Sequence, residues 1–359
     1  MRAHHLLWLL TIPGLAPGGG VIRAQAVPRT DTPRAGALRL TFDPTIEVWA
    51  KRFVDGQRRS LGASLPATVF VQSERRTTPL VVEYGLTDRI ALSARMPLVR
   101  VRNHVTVRAD SAGAALSAML ADTTYAYAPL TNTRRRLHYF PGDAELQAKI
   151  RLVPRGPYAA AAQLVIRLPT GHLDSPHDLF DLPTGDHQTD LELAIVQELT
   201  LARLIWLNVS VRGGRQRPGT RVRRVAPQAT PLVPRAATAS LAWDPGDYAA
   251  VDVAPLLRLS DSFGAGFTVG YWTTKRDRYT YRSTQDSIAV ATRLGAPAPA
   301  SLLDAGTAER RVRLGAAVTY AGPNAEGGLS IEQTVSGAGG SVPAGTVFRI
   351  VLRTSRWPF

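Results

Sequence analysis

The sequence predicts an all-β chain, closed as an antiparallel transmembrane β-barrel of about 12 to 14 strands. Three features predict it. Polar and apolar residues alternate with period two in one segment after another, the connections between those segments alternate between tight turns and long loops, and the chain ends Arg356-Trp357-Pro358-Phe359. Alternation alone has two readings, because a soluble sheet turns its apolar side to a core whereas a membrane barrel turns it to lipid and its charges to the lumen. The other features, with the N-terminus, select the second.

The chain starts with a short basic stretch, Met1 to His5, an apolar run from Leu6 to Ala16, and the small-x-small pattern Ala24-Gln25-Ala26. This is the layout of a secretory signal peptide for Sec export, residues 1–26, cut before Val27. Pro13, Pro17 and Gly18 to Gly20 stop the apolar run short of the ~20 residues a spanning helix needs. Residues 27–37 are rich in Pro and Arg and read as a linker, and residues 38–359 as the barrel.

Cysteine is absent, so an exported chain of this size is held without disulfides, as a closed hydrogen-bonded barrel can be. The formal net charge of +15 is almost wholly arginine, since Lys51, Lys149 and Lys275 are the lysines among 43 basic residues. Export and the spread of the arginines along the chain argue against nucleic acid as a partner. An anionic outer-leaflet surface or an anion-attracting pore suits the same charge.

Glu145 to Leu152 sets the pattern: Leu146, Ala148, Ile150 and Leu152 share one face, and Glu145, Gln147, Lys149 and Arg151 the other. Leu191, Leu193, Ile195 and Leu199 oppose Asp190, Glu192 and Glu198; Val312, Leu314, Ala316 and Val318 oppose Arg311 and Arg313; Phe348, Ile350 and Leu352 oppose Arg349 and Arg353. The polar faces nominate Glu83, Arg89, Arg95, Glu145, Lys149, Arg151, Arg167, Glu192, Arg258, Arg311 and Arg313 as lumen-lining residues. Two states of such a lumen are open: basic residues outnumber acidic ones and a water-filled pore would favour anions, or the charges pair across strands and fill a narrow barrel.

Turn chemistry at residues 85–88, 154–157, 260–263 and 321–324 separates strands that are joined at their other ends by long stretches near 108–142, 170–188 and 275–308. Short periplasmic turns and long external loops alternate in this way in outer-membrane barrels. The same parity demands an extra downward strand between Val211 and Ala236, around Arg221 to Gln228. Ser111 to Asp122, rich in Ala and Leu, reads as a short helix in an external loop, folded into the lumen or capping the rim. Trp357 and Phe359 suit an aromatic girdle at the membrane interface, and a terminal Phe suits the barrel-assembly machinery. The penultimate Pro358 departs from a strand ending, and the register of Phe348 to Leu352 does not continue to Phe359.

Glu83-Tyr84-Gly85-Leu86-Thr87-Asp88-Arg89-Ile90-Ala91-Leu92 with Met96-Pro97-Leu98, then Gly142-Asp143-Ala144-Glu145-Leu146 with Lys149, then Arg167-Leu168-Pro169-Thr170-Gly171, resembles the outer-membrane transporters of the phenol-degradation meta pathway. The resemblance covers roughly residues 80–200 and rests on the order and spacing of short turn and strand-end motifs. It implies a barrel in the bacterial outer membrane that passes small solutes, hydrophobic or aromatic compounds among them.

Outside the strands, residues 171–190 gather His172, His177 and His187 with a series of aspartates. His177, Asp178 and Asp181 are the candidate metal ligands there, although the calcium-loop pattern with its central Gly and closing Glu is missing and a hydrated acidic loop has the same composition. Ser175 and His177 raise the case of a rim hydrolase, but no Gly-x-Ser-x-Gly elbow accompanies them. The reading is therefore a channel with no enzymatic activity and no cofactor, its partners being outer-membrane lipid, lipopolysaccharide, the assembly machinery and a small-molecule solute. The alternatives are a non-conducting structural or surface-interaction barrel and, after it, the rim hydrolase.

Overall fold

The computed structural model describes residues 29–130, 138–153, 157–202, 204–226, 232–322 and 325–354. Residues 1–26, expected as a signal peptide, and the terminal Trp357 and Phe359 lie outside them. The main sheet is a closed antiparallel barrel of 12 strands. In chain order β1 is interrupted, Leu38–Phe42 and Thr45–Trp49. It is followed by β2 (Val69–Gly85), β3 (Ile90–Val107), β4 (Ala144–Val153), β5 (Tyr158–Leu168) and β6 (Asp190–Leu201). The second half comprises β7 (Ile205–Gln216), β8 (Tyr248–Arg258), β9 (Phe263–Thr274), β10 (Arg310–Ala321), β11 (Ala325–Ala338) and β12 (Thr346–Thr354). Each strand pairs with its neighbours in sequence, and β1 closes the ring against β12 through Thr41↔Arg353 and Ile46↔Phe348. Pro44, which has no N–H to give to a ladder, sits at the break in β1, where its carbonyl accepts from Ile350.

Burial follows the alternation. On β4 the side chains of Leu146, Ile150 and Leu152 are exposed, while Lys149 between them is buried. The same holds for Leu191 and Leu193 on β6, Leu314 and Val318 on β10, and Phe348, Ile350 and Leu352 on β12. Together these make a continuous apolar ring around the barrel, a surface far larger than a protein in water leaves exposed.

Residues 86–89 make the β2–β3 turn, in which the Thr87 hydroxyl accepts from the amides of Arg89 and Ile90. The Leu204 amide, which donates to the Leu201 carbonyl, and residues 259–262 lie at the same end, as do the facing ends of β4 and β5 and of β10 and β11. Long connections occupy the other end, so the parity of short and long links is the observed one. The strand expected around Arg221 to Gln228 is corrected in both position and role. Gly219–Arg224 is a strand, but it pairs with Thr238–Asp244, which pairs with Arg278–Tyr281, in a small sheet separate from the barrel. Thr238–Asp244, with its alternating Ala239, Leu241 and Trp243, has the pattern of a spanning strand without being one. With seven residues it falls short of the nine or so that a tilted span needs. Its apolar face packs instead on Tyr279, Val290, Ala298 and Ala300.

The expected helix is α1 (Ser111–Ala121), capped by the Asp110 carboxylate, which accepts from Gly113 N at 2.8 Å. Its Leu116 and Leu120 bury against Val69, Val71 and Val105, the inner face of the β2–β3 hairpin where it runs beyond the shorter strands. A second helix, α2 (Thr284–Leu294), contributes Val290 to the core of the small sheet. Among the described residues no helix is long and apolar enough to cross a membrane.

Candidate functional site: the barrel interior

The inward face of the barrel carries the charges, and most of them are engaged. Arg95 reaches Glu145 at 2.8 Å, Arg167 reaches Glu145 at 3.5 Å and Asp190 at 2.6 Å, and the Tyr248 hydroxyl donates to Glu192 at 2.5 Å. On the other side of the ring Arg212 meets Asp252 at 3.4 Å, Arg313 meets Glu332 at 3.3 Å, and Arg349 pairs with Asp43 at the β1 break. The Arg311 guanidinium lies 5.2 Å from the Trp272 ring centre. Arg258 turns to Asp261 and the Ser260 carbonyl at the rim of its own turn. Arg151 donates to the Asp88 carbonyl. Arg89 sits apart from the rest: it lies in the exposed 86–89 turn, beyond the strand faces on which the alternation had placed it. Among the described residues most inward charges thus have a partner of opposite sign.

Two segments obstruct the interior. At the turn end, residues 29–33, expected as a linker, are buried. Asp31 accepts from Arg39 at 2.9 Å and pairs with Arg29 at 3.2 Å. Arg29 also pairs with Glu326, and the Thr30 amide donates to Glu198 at 2.9 Å. Lys149 bridges Glu83 at 3.1 Å and the Asp31 carbonyl at 3.4 Å, and Arg353 reaches Glu326 at 3.7 Å. Periodicity carries no trace of this segment, since a Pro/Arg-rich stretch has none. The hint the sequence carries is chemical: Arg29 and Asp31 flank a Thr, and Glu83, Glu198 and Glu326 stand on inward positions of β2, β6 and β11.

At the loop end, residues 169–189 are tied to the wall. Arg75 donates to the Pro183 carbonyl, Asn103 to the Phe180 carbonyl, and Arg223 grips Asp174 with both terminal nitrogens, at 2.9 and 3.1 Å. The buried Asp143 carboxylate accepts from the amides of Gly171 and Asp186, each at 2.7 Å. Gly171 and Gly185 are required there: a Cβ on Gly185 would overlap the Asp143 carboxylate, and one on Gly171 would lie 2.5 Å from the Gly185 Cα. Burial, then a hydrogen bond with the Asp143 carboxyl and the proximity of Asp190, raises the Asp186 pKa to about 7, against the opposing pull of Arg167.

The candidate metal ligands are dispersed by the same loop. Asp181 accepts from the Ser175 amide at 2.8 Å, Asp178 from the Phe180 amide at 3.2 Å, and His177 Nδ1 from Arg224 at 2.6 Å. Burial, then Arg224 and Arg235, holds the His177 imidazole below its ordinary value. Among the described residues no three His, Cys, Asp or Glu side chains are grouped to hold a metal. His177 faces a guanidinium and not the Ser175 hydroxyl, which accepts from the His177 amide at 3.2 Å.

No known family profile and no curated protein matches the sequence. Solved structures do. The COG4313 outer membrane channel from Pseudomonas putida F1 superposes with a TM-score of 0.58 at 11% identity, covering 90% of this chain and 97% of that one. The chain shares its β-barrel fold with that protein. The KdgM porin (TM-score 0.36, 8% identity, 88% of this chain and 99% of that one) is also similar. So is a mutant of the TodX monoaromatic hydrocarbon channel (0.36, 10%, 91% of each).

Proposed function

We propose that the chain is a channel of the bacterial outer membrane for passive uptake of small solutes, without enzymatic activity. The observation that carries this reading is a closed barrel with an apolar outer ring and a charged inner wall. The wall offers solutes a polar surface whose charges are largely balanced by their neighbours, which reduces any preference for anions below what a net charge of +15 suggests. In the conformation described both ends are occupied, so conduction requires residues 29–33 and the loop at 169–189 to shift. Hydrophobic or aromatic compounds are the solute class implied by the motifs between residues 80 and 200. Lipid, lipopolysaccharide and the assembly machinery are the partners that such a location supplies.

A second reading, a barrel that conducts nothing and serves as a surface protein, is favoured by the obstruction at both ends. Planar-bilayer recording of the refolded chain separates the two. The channel reading expects small conductance steps for the intact chain and clearly larger ones after deletion of residues 29–35. A silent deletion variant, folded by gel mobility, would remove the channel reading.

A further inference from the structure

We infer that the outward face of the β2–β3 hairpin, just beyond the apolar ring on the loop side, binds the phosphate of an anionic glycolipid of the outer leaflet through Arg76, Arg100 and Arg102. The inference rests on the outer-membrane placement proposed above but is independent of conduction.

On β3 the outward positions are Leu92, Ala94, Met96 and Leu98, the leucines and Met96 exposed, while Val99 and Val101 on the other face are buried. The next outward positions are Arg100 and Arg102. On β2, Tyr84 and Leu80 give way to Arg76 on the same face. Register places Arg76 directly opposite Arg100, and Glu74 opposite Arg102. Facing like charges on a sheet is unfavourable unless an anion lies between them.

The local acid does not supply that anion. Glu74 is bonded to Arg76 at 2.5 Å, and neither Arg100 nor Arg102 has an ion pair among the described residues. Their Nε atoms are shielded from solvent yet have no hydrogen-bond partner, an arrangement that costs free energy and that an incoming oxyanion relieves. Arg100 and Arg102 are one pleat repeat apart, about 7 Å, and Arg76 faces Arg100 across the ladder, so a phosphate monoester can be held from three directions. On the neighbouring strand of β1, Ile46 and Val48 pair with Arg76 and Glu74 and present apolar surface for acyl chains beside the cations. Tyr139, exposed and adjacent to the Phe140 that pairs with Val99, adds an aromatic ring of the interfacial kind.

Other arginines stand outward at comparable positions, and they differ in kind. Arg215 on β7 is opposite Leu191, and Arg310 on β10 is opposite Thr273 and Ala338. Each is solitary. They serve as internal controls, because a general attraction of basic residues to an anionic surface would use them equally.

The test titrates the full refolded chain in detergent with bisphosphorylated lipid A and counts bound lipid by native mass spectrometry. The Arg100→Ala, Arg102→Ala pair is expected to weaken binding by about tenfold or more. The Arg215→Ala, Arg310→Ala pair should change it by less than about twofold. Dephosphorylated lipid A should bind both variants with the same low affinity. If the alanine pair fails the heat-dependent gel shift of a folded barrel, Arg100→Gln with Arg102→Gln carries the measurement. Equal loss in the two arginine pairs, no loss in either, or full competition by millimolar inorganic phosphate would overturn the site. Those results leave the barrel placement intact. A chain that stayed monomeric and soluble without detergent would remove the placement and the site together.

Discussion

The two ends of the barrel interior are obstructed by different chemistry. At the turn end, Arg29, Arg39, Lys149 and Arg353 interlock with Asp31, Glu83 and Glu326, nearly all through side chains, and the strands that supply them, β11, β12, β1, β2 and β4, flank the seam where the barrel closes. At the loop end, residues 169–189 are held by arginine and asparagine donors on backbone carbonyls and by two glycines pressed around one carboxylate. Buried ion pairs depend on every partner being present, whereas a loop packed on glycines depends on shape and on the protonation of its carboxyl pair. The turn-end contacts are therefore expected to contribute to the stability of the whole barrel, and the loop-end contacts to a local structure that opens without it.

Three measurements break or sharpen this contrast. Glu83→Gln removes the anion shared by Lys149 and Arg39 and is expected to cost roughly 3 kcal/mol, seen as a lower urea midpoint of the whole barrel. A loss below about 1 kcal/mol would show that the turn-end network is dispensable. Gly185→Ala places a methyl group on the Asp143 carboxylate and should cost about 1–3 kcal/mol within the loop. Protection of the Gly171 amide from hydrogen exchange should fall while the barrel midpoint holds; a parallel drop in both would merge the two ends into one cooperative unit. The smallest effect is the pH response of the loop. A carboxyl whose folded pKa of about 7 lies above its unfolded value keeps its proton more tightly in the fold. Loop packing is thus strongest below pH 4 or so and weakens as pH rises through about 7. Protection of Gly171 should follow that curve in the native chain and flatten in Asp186→Asn. An unchanged curve would remove Asp186 as the source of the response.

Much of the wall was legible from residues alone. Wherever a strand sets long apolar side chains against charges, as in 145–152, 191–199 and 311–318, the lipid and lumen sides follow from the period of two, because a one-residue error would put an arginine in hydrocarbon. Arg89 marks the limit of that logic: alternation continues through a turn in sequence but not in space. Thr238–Asp244 marks another, since its pattern is genuine and only its length and its partners show that it packs over a small core. The obstructions were the least legible part. Arg29, Asp31, Arg39 and Glu326 come together from opposite ends of the chain, and such pairing depends on ring closure, which no local window contains. The Asp143 and Asp186 pair could have been suspected from Gly142-Asp143 and Gly185-Asp186, where a small residue beside an acid permits close backbone approach. Nothing in the sequence says that the two dipeptides meet.

The Arg29–Glu326 pair spans 297 residues, and contacts of that separation cannot form until the last strands have joined the first. The burial of residues 29–33 is then a record of finished assembly. A slip of one residue between β1 and β12 would turn Arg353 outward and Leu352 inward, leaving Glu326 without one of its two cations. The full set of partners for Arg29 and Asp31 therefore exists only where the seam is closed in its observed register, so one ion-pair cluster reports on the fit of the first strand to the last.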